Sequence, residues 1–338
     1  MHHSGFATFS PEYYTAPVSL SPLVQKLQST NAFVVVDLAR PTNGGSDGSG
    51  ADARPPASGE ARVARKVLQS SATDLARSST YTFGAFGYER VGASAGINAE
   101  GDAVSDAVTQ FVTELDPEVA DGRLYVDEGK GVPGDAFHQW RTHPSVGDFA
   151  TSQLIVTSSV LTAAQWALGS DLTAKTVAIE GAGLAPAGLE EAVTAAGAEI
   201  VTIDGVDKKP WLIWGADVDV ILAGSKPGAL THQGTDFVKA TAIVPWGPIP
   251  VTTKAFAQLS RTDTIVVPDF VSLAGRRLAP LLEGDEASAA DELSKQVIAK
   301  LDSAASHADG LFLGACYAAE AFIESWAGGA PFGRPLAA

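Results

Sequence analysis

The chain has 338 residues, with 23 Lys plus Arg against 39 Asp plus Glu, a net charge of −16, 45% hydrophobic residues and a single Cys at position 316. That length exceeds what one hydrophobic core usually organises, so two domains are expected. Acidic residues outnumber basic ones in both halves, which makes nucleic acid and anionic membranes poor partners. One Cys excludes an intramolecular disulfide and a cysteine-rich zinc site. No apolar run is long enough to span a bilayer, and residues 1–10 lack a charged stretch followed by an apolar one, so the expectation is a soluble cytoplasmic protein.

In chain order, residues 32–38 (AFVVVDL) carry the β-branched composition of a buried strand. Residues 40–59 replace nearly all apolar side chains with Gly, Ser, Asp and Pro, which predicts a flexible loop over 41–59. Past it, Val63, Val67, Ser71 and Leu75 fall on one side of a helix. Val104, Ala107, Val108, Phe111, Val112 and Leu115 recur at three and four residues and predict a second, amphipathic one. Between the two, residues 81–97 hold Gly84, Gly87, Gly92 and Gly96, too many for an ordinary helix core. Bare backbone is needed there.

From residue 151 onward, apolar helices alternate with short β-rich runs at 176–180, 199–203, 218–222, 241–244 and 264–267. Such alternation implies parallel βαβ units and a doubly wound sheet. Residues 287–327 read as two helices, the last carrying Phe312, Cys316, Ala319 and Ile323. The fold class expected is α/β with two domains. An N-terminal substrate and oligomerisation domain spans 1–150, a Rossmann-like nucleotide-binding domain spans 151–285, and C-terminal helices at 286–338 pack back on the cleft.

Residues 176–180 run into Gly181, Ala182, Gly183 and Leu184, then Pro186, a helical LEEAVTAAG and a strand ending at Asp204, 23 residues after Gly181. In this strand, glycine turn and helix context, Gly181 permits the tight turn and Gly183 lets backbone N–H groups reach a pyrophosphate at the helix N-terminus. Asp204 is placed to accept hydrogen bonds from an adenosine ribose, which favours NAD over NADP. The third glycine of the usual pattern falls at Pro186, which suits a first helical turn but removes one donor. The other reading of these glycines is a βαβ unit in which they serve packing alone. The cofactor contacts expected are Gly181, Ala182, Gly183, Leu184, Asp204 and Ser225, with NAD as the cofactor.

The segment order over residues 32–277 resembles the glutamate, leucine, phenylalanine and valine dehydrogenase family. The similarity is carried by residues 265–275 (IVVPDFVSLAG), preceded in the same order by 223–231 (AGSKPGALT) and 245–255 (PWGPIPVTTKA). The resemblance implies an amino or keto acid as small-molecule substrate and a homo-oligomeric assembly. It also aligns residues 80–97 with the family segment that carries a substrate-binding Lys and a catalytic Lys. Both lysines are missing here: Thr82 stands at the carboxylate-binding position and Ser94 at the catalytic one. The only lysines before residue 150 are Lys26, Lys66 and Lys130. Without an ammonium to polarise the carbonyl and stabilise the developing alkoxide, ordinary oxidative deamination is not expected. The position of the family's proton-shuttling Asp falls on Lys130, with Asp127 and Glu128 beside it. The Asn contacts near nicotinamide fall on residues 248–250 and on Leu273.

Arg90, the only cation between Ser78 and Gly122, is a candidate for holding a substrate carboxylate, or else an ordinary solvated residue beside Glu89. Lys130, flanked by Gly129 and Gly131, is the other candidate cation and the candidate catalytic group with Ser94. His138 and His143 lack metal-site spacing and read as structural or surface residues, as His232 does at the start of a helix. Trp211 and Trp214 read as packing or interface residues. Two functions remain open: a divergent NAD-dependent oxidoreductase of amino acid dehydrogenase type with a remodelled active site, or a non-catalytic homologue acting as a nucleotide-binding, regulatory or structural subunit.

Overall fold

The computed structural model describes residues 19–39, 55–143, 146–147, 152–331 and 333–337. The first strands are β1 (Ser19–Lys26), β2 (Ala32–Ala39) and β3 (Ala57–Ala64). The helix α1 (Gln69–Phe86), strand β4 (Val91–Asn98), helix α2 (Ala103–Ala120), strand β5 (Leu124–Glu128) and short helix α3 (His138–Arg141) follow. Helix α4 (Gln153–Leu168) leads into a second set: β6 (Thr176–Ile179), α5 (Leu189–Ala195), β7 (Glu199–Ile200), β8 (Val220–Ala223), β9 (Ala242–Pro245), α6 (Thr253–Leu259) and β10 (Ile265–Val266). The short helices α7 (Asp269–Ser272) and α8 (Ala274–Leu278), the long helices α9 (Glu286–Ala305) and α10 (Leu311–Ala327), and strand β11 (Ala330–Pro331) complete the order.

The protein is α/β and built on two sheets. The mixed sheet has the order β11-β1-β2-β4-β3-β5, with β1 and β4 antiparallel to β2, and β3 parallel to both β4 and β5. The second sheet is wholly parallel, in the order β10-β9-β8-β6-β7, so its direction of winding reverses between β6 and β8. Doubly wound sheets bind ligands outside the carboxyl ends of the strands at such a reversal. Among the described residues no helix is long and apolar enough to cross a membrane.

Two expectations in the first half need correction. Val63 does not share a helix with Ser71 and Leu75: it lies in β3, hydrogen-bonded between β4 and β5, and the helix opens only at Gln69. Its spacing of four from Val67 spans a strand and a turn rather than a helical turn. The loop expected over 41–59 is shortened from its far end, because Ala57, Ser58 and Gly59 are strand residues; residues 40–54 lie outside the described part. The small side chains that read as loop are what an interior strand tolerates when a helix lies against it.

The glycines of residues 81–97 serve that packing. Helix α1 runs through Gly84 to Phe86, and β4 begins at Val91, so the segment is helix and strand rather than an open loop. On β4, a Cβ placed on Gly92 would lie 1.8 Å from the carbonyl oxygen of Ala76, so α1 crosses β4 at a distance only glycine allows. The consequence reaches across the molecule. Tyr81, Phe83, Ala85 and Phe86, at the far end of α1, belong to the same apolar core as α4, α9 and the parallel sheet. Tyr81 and Phe270 meet edge to face at 5.5 Å between ring centroids. Helix α10 packs on α1 and α9 on α4, so the C-terminal helices bind both halves together. The chain then runs through β11, paired with β1, to Ala337, whose carbonyl accepts the N–H of Thr253 at 2.8 Å.

Candidate active site

The site is built from the glycine turn upward. Gly181 follows β6 with φ of 70°, in the left-handed region, and a Cβ there would sit 2.4 Å from Cβ of Ser225. Only glycine fits the turn beneath the β8 loop. Ala182–Leu184 form a single 3-10 turn, in which the N–H of Leu184 donates to Gly181 and that of Ala185 to Ala182. The N–H groups of Ala182 and Gly183 stay outside those bonds, and Gly183 has open space on its Cβ side. This corrects the expected geometry, since Pro186 precedes the helix and α5 opens only at Leu189. A phosphate at Gly183 would meet turn amides, not a helix N-terminus.

β7 ends at Ile200, not at Asp204. As the edge of the sheet, β7 pairs only with β6, and the chain turns at Asp204 and Gly205, leaving Asp204 exposed. The reversal between β6 and β8 is held by a residue that the sequence pattern did not flag. Glu180 is buried, and its carboxylate accepts the N–H groups of Gly224 at 3.0 Å and Ser225 at 2.9 Å, together with the Ser225 hydroxyl. Ser225 therefore lies at the crevice, but its hydroxyl is committed to Glu180. An acid directly before a glycine turn, with Ser in the neighbouring loop, was the available signal.

The residues aligned with the family's lysines lie deeper. Thr82 is buried on α1, donates to the carbonyl of Phe270 at 2.7 Å and accepts from Arg277 Nη1 at 2.6 Å. Arg277 also donates to the carbonyl of Ser78 at 2.9 Å and to its hydroxyl at 2.8 Å. The Ser78 hydroxyl donates to Asp269, whose carboxylate also accepts the N–H of Ile249 at 3.0 Å. The carboxylate-binding position is thus spent in a buried knot that ties α1 to α7 and α8. Ser94 lies in the middle of β4, on the same face as Gly92 and beneath α1, and its buried hydroxyl has no hydrogen-bond partner. Neither side chain lines the cavities described next.

Arg90 donates to the hydroxyl of Ser58 at 2.6 Å, and burial pushes its guanidinium down to about 10. Lys130 is exposed and lines a different cavity, of about 300 Å³, with Arg62 and Lys66. His138 and His232 are exposed, and His232 sits in a turn rather than at a helix start. Trp214 is core, whereas Trp211 is 61% exposed.

The chemistry gathers where β3 and β5 of the mixed sheet face the turn after β6. The parallel register pairs Ser58 with Tyr125 and Glu60 with Asp127, placing all four on one face. From the other side, α8 brings Arg276, whose Nε lies 2.6 Å from Glu60, and from α3 comes Arg141, which pairs with Glu128. An inner void of about 20 Å³ is lined by Tyr125, Asp127, Glu60, Arg276 and Arg277. An outer chamber of about 240 Å³ is bounded by Asp127 and Arg276 on one side and by Pro186 and Ala187 of the glycine loop on the other.

Asp127 is the titratable group of this chamber. Burial, with the hydrogen bond and charge of Glu128, pushes its carboxyl up to about 7. Burial acts on Glu128 in the same sense, but hydrogen bonds from Asp127, the N–H of Phe137 and Arg141 outweigh it and hold that carboxyl below its ordinary range. Burial and the neighbouring charge of Asp127 raise the Tyr125 phenol well above its usual value. Of these functional candidates the sequence noted Asp127 beside Lys130, whereas Glu60 and Arg276 went unflagged, because no sequence pattern shows that β3 lies beside β5.

The sequence matches no protein-family model and no curated protein. Its likeness to solved structures extends over nearly the whole chain. A hetero-hexameric glutamate dehydrogenase from Thermus thermophilus, in its Leu-bound form, superposes with a TM-score of 0.69 at 17% identity, covering 91% of this chain and 89% of that one. L-Tryptophan dehydrogenase from Nostoc punctiforme gives 0.59 at 17% identity, over 90% and 96%. Glutamate dehydrogenase from Peptoniphilus asaccharolyticus gives 0.59 at 14% identity, over 91% and 90%. The fold is therefore that of a two-sheet α/β dehydrogenase. More narrowly, it is the amino acid dehydrogenase fold.

Proposed function

We propose that the protein is an NAD-linked oxidoreductase of amino acid dehydrogenase type whose reaction centre is remodelled around Asp127, and that ordinary oxidative deamination of amino acids is absent. The observation that carries this reading is the single outer chamber bounded by Asp127 and Arg276 on one side and by the glycine loop on the other. A carboxyl pushed up to about 7 can both give and take a proton near neutrality. Bound at the glycine turn, NAD would supply the hydride acceptor; Gly181, the N–H groups of Ala182 and Gly183, and the open flank of Gly183 suit its pyrophosphate. The exposed carboxylate of Asp204 would accept from a ribose hydroxyl and repel a 2′-phosphate.

Calorimetry with NAD and NADP tests the cofactor. NAD should bind more tightly, and equal or tighter binding of NADP would remove Asp204 from its role. An assay of NADH formation from glutamate, leucine, phenylalanine and valine tests the lost reaction. Each absent oxyanion donor typically costs about 100-fold to 1000-fold, so turnover at the ordinary roughly 1 to 1000 per second would refute the remodelled centre. Sedimentation would measure the homo-oligomer inferred with this reading.

A second reading, a non-catalytic subunit that binds nucleotide or regulates a partner, is favoured by the commitment of Thr82 to Arg277 and Phe270. The similar Thermus thermophilus enzyme is hetero-hexameric. Absence of binding by either cofactor would favour the regulatory or structural form of this second reading.

A further inference from the structure

The charges around the chamber do not balance. Three carboxylates border the two cavities: Glu60 of β3 the inner void, Glu128 of β5 the outer chamber, and Asp127 of β5 both. They are met by two arginines, Arg276 from α8 and Arg141 from α3. Arg276 is engaged by Glu60 at 2.6 Å, and Arg141 by Glu128. Asp127 lies 3.8 Å from Arg141, beyond hydrogen-bond range, and is hydrogen-bonded instead to Glu128, whose N–H it accepts at 2.9 Å and whose carboxyl shares a hydrogen bond with its own. Arg277 borders the inner void, but its donors are committed to Ser78, Thr82 and Asp269. The two cavities together therefore border one carboxylate more than their arginines pair, and Asp127 is that one.

A second observation points to a missing partner. Tyr125 is only 6% exposed, it borders the inner void beside Asp127, and its hydroxyl has no hydrogen-bond partner among the described residues. A buried hydroxyl left unmade costs about 1–3 kcal/mol, and a ligand donor would satisfy it. That donor must be positive to complement Asp127, and it must not bring a further carboxylate into a site already in acidic excess. The volume of the outer chamber, about 240 Å³, admits a small ligand of roughly ten heavy atoms.

We propose that a small primary amine carrying no carboxylate binds here, its ammonium beside Asp127 at the inner void, where the Tyr125 hydroxyl accepts from it, and its alkyl chain in the outer chamber. This rests on the chamber being the reaction centre of the proposed oxidoreductase, and it names the substrate class. The amine differs from an amino acid in lacking the carboxylate, and at the aligned carboxylate-binding position Thr82 is bound to Arg277.

The test uses the full chain at pH 8, where Asp127 is ionised and an alkylamine is protonated. Calorimetry would compare three probes of matched chain: butylamine, norvaline (butylamine with a carboxylate on the carbon bearing nitrogen) and pentanoate. Butylamine should bind, norvaline at least ten-fold more weakly, and pentanoate not at all. Asp127→Asn should weaken butylamine by about ten-fold to a hundred-fold, the range for a charged hydrogen bond. Tyr125→Phe should weaken it by a smaller factor, and it supplies the answer if the Asn variant does not fold. Norvaline binding as tightly as butylamine, no butylamine binding, or unchanged binding in whichever variants fold would overturn the proposal. NAD is titrated in the same experiment. Loss of NAD binding with the amine retained would defeat the oxidoreductase reading alone, whereas NAD binding without the amine would defeat this inference alone.

Discussion

Arg276 and Arg277 are neighbours on one short helix, and they sit in opposite kinds of polar environment. Arg277 has 6% of its side chain exposed and meets Asp269, Ser78 and Thr82 in a knot where its donors have partners. Arg276 has 25% exposed, reaches Glu60 across the interface, and borders both the outer chamber and the inner void, beside a carboxyl pushed up to about 7 and an unsatisfied phenol. Burial with full hydrogen bonding makes polar residues into structural cross-links, whereas burial with incomplete partnering leaves chemical capacity. The resemblance to amino acid dehydrogenases directs attention to Thr82 and Ser94, yet the charged side chains Glu60 and Asp127 of the two cavities lie one and two strands along from Ser94, on the same face of the mixed sheet.

The comparison breaks first at Arg277. Arg277→Leu would leave Asp269 buried without its cation, so the variant should lose about 3–5 kcal/mol in urea unfolding. A loss under about 1 kcal/mol would mean that the knot is not a cross-link.

Asp127→Asn sharpens the other side. The native carboxyl is pushed up to about 7 from an ordinary value of 3.8, so the folded state holds this proton more firmly than the unfolded one. Stability from the protonated form is full below about 4 and is lost as pH rises through about 7. The Asn variant, unable to ionise, should match the wild type at pH 4 and exceed it at pH 8 by up to about 4 kcal/mol. Thermal melts at both values decide it, and an advantage that shrinks with rising pH would show that Asp127 is stabilised as an anion.

The smallest effect is expected at Lys130. It is exposed and borders neither the inner void nor the outer chamber, so Lys130→Ala should change stability by less than about 0.5 kcal/mol and leave butylamine and NAD titrations unaltered. A ten-fold change in either titration would bring the loop after β5 back into the site.

Much of the architecture was readable from local pattern. The strands β6 to β10 and the helices α2, α9 and α10 follow from apolar periodicity, because each buries one side against a neighbour. The strand and glycine turn at Gly181 were legible for a similar reason, since left-handed backbone is demanding enough to leave a mark in sequence. The bare backbone at residues 81–97 was also visible, but its purpose was not. Gly92 is required by α1 lying across β4, a contact between two elements whose mutual placement no local spacing encodes.

The limits of the site were set in the same way. Sequence by itself determined that no lysine stands at the Thr82 and Ser94 positions and that an acid follows the turn at Gly181, because residue identity suffices for both. Which polar residues would be exhausted and which left with capacity was decided only by tertiary structure. Strand β3 beside β5 puts Glu60 against Asp127, and α8 delivers one arginine to a sealed knot and the next to an open chamber. Ionisation and hydrogen bonding depend on burial and on partners far apart in the chain, and those exist only once the two sheets have packed.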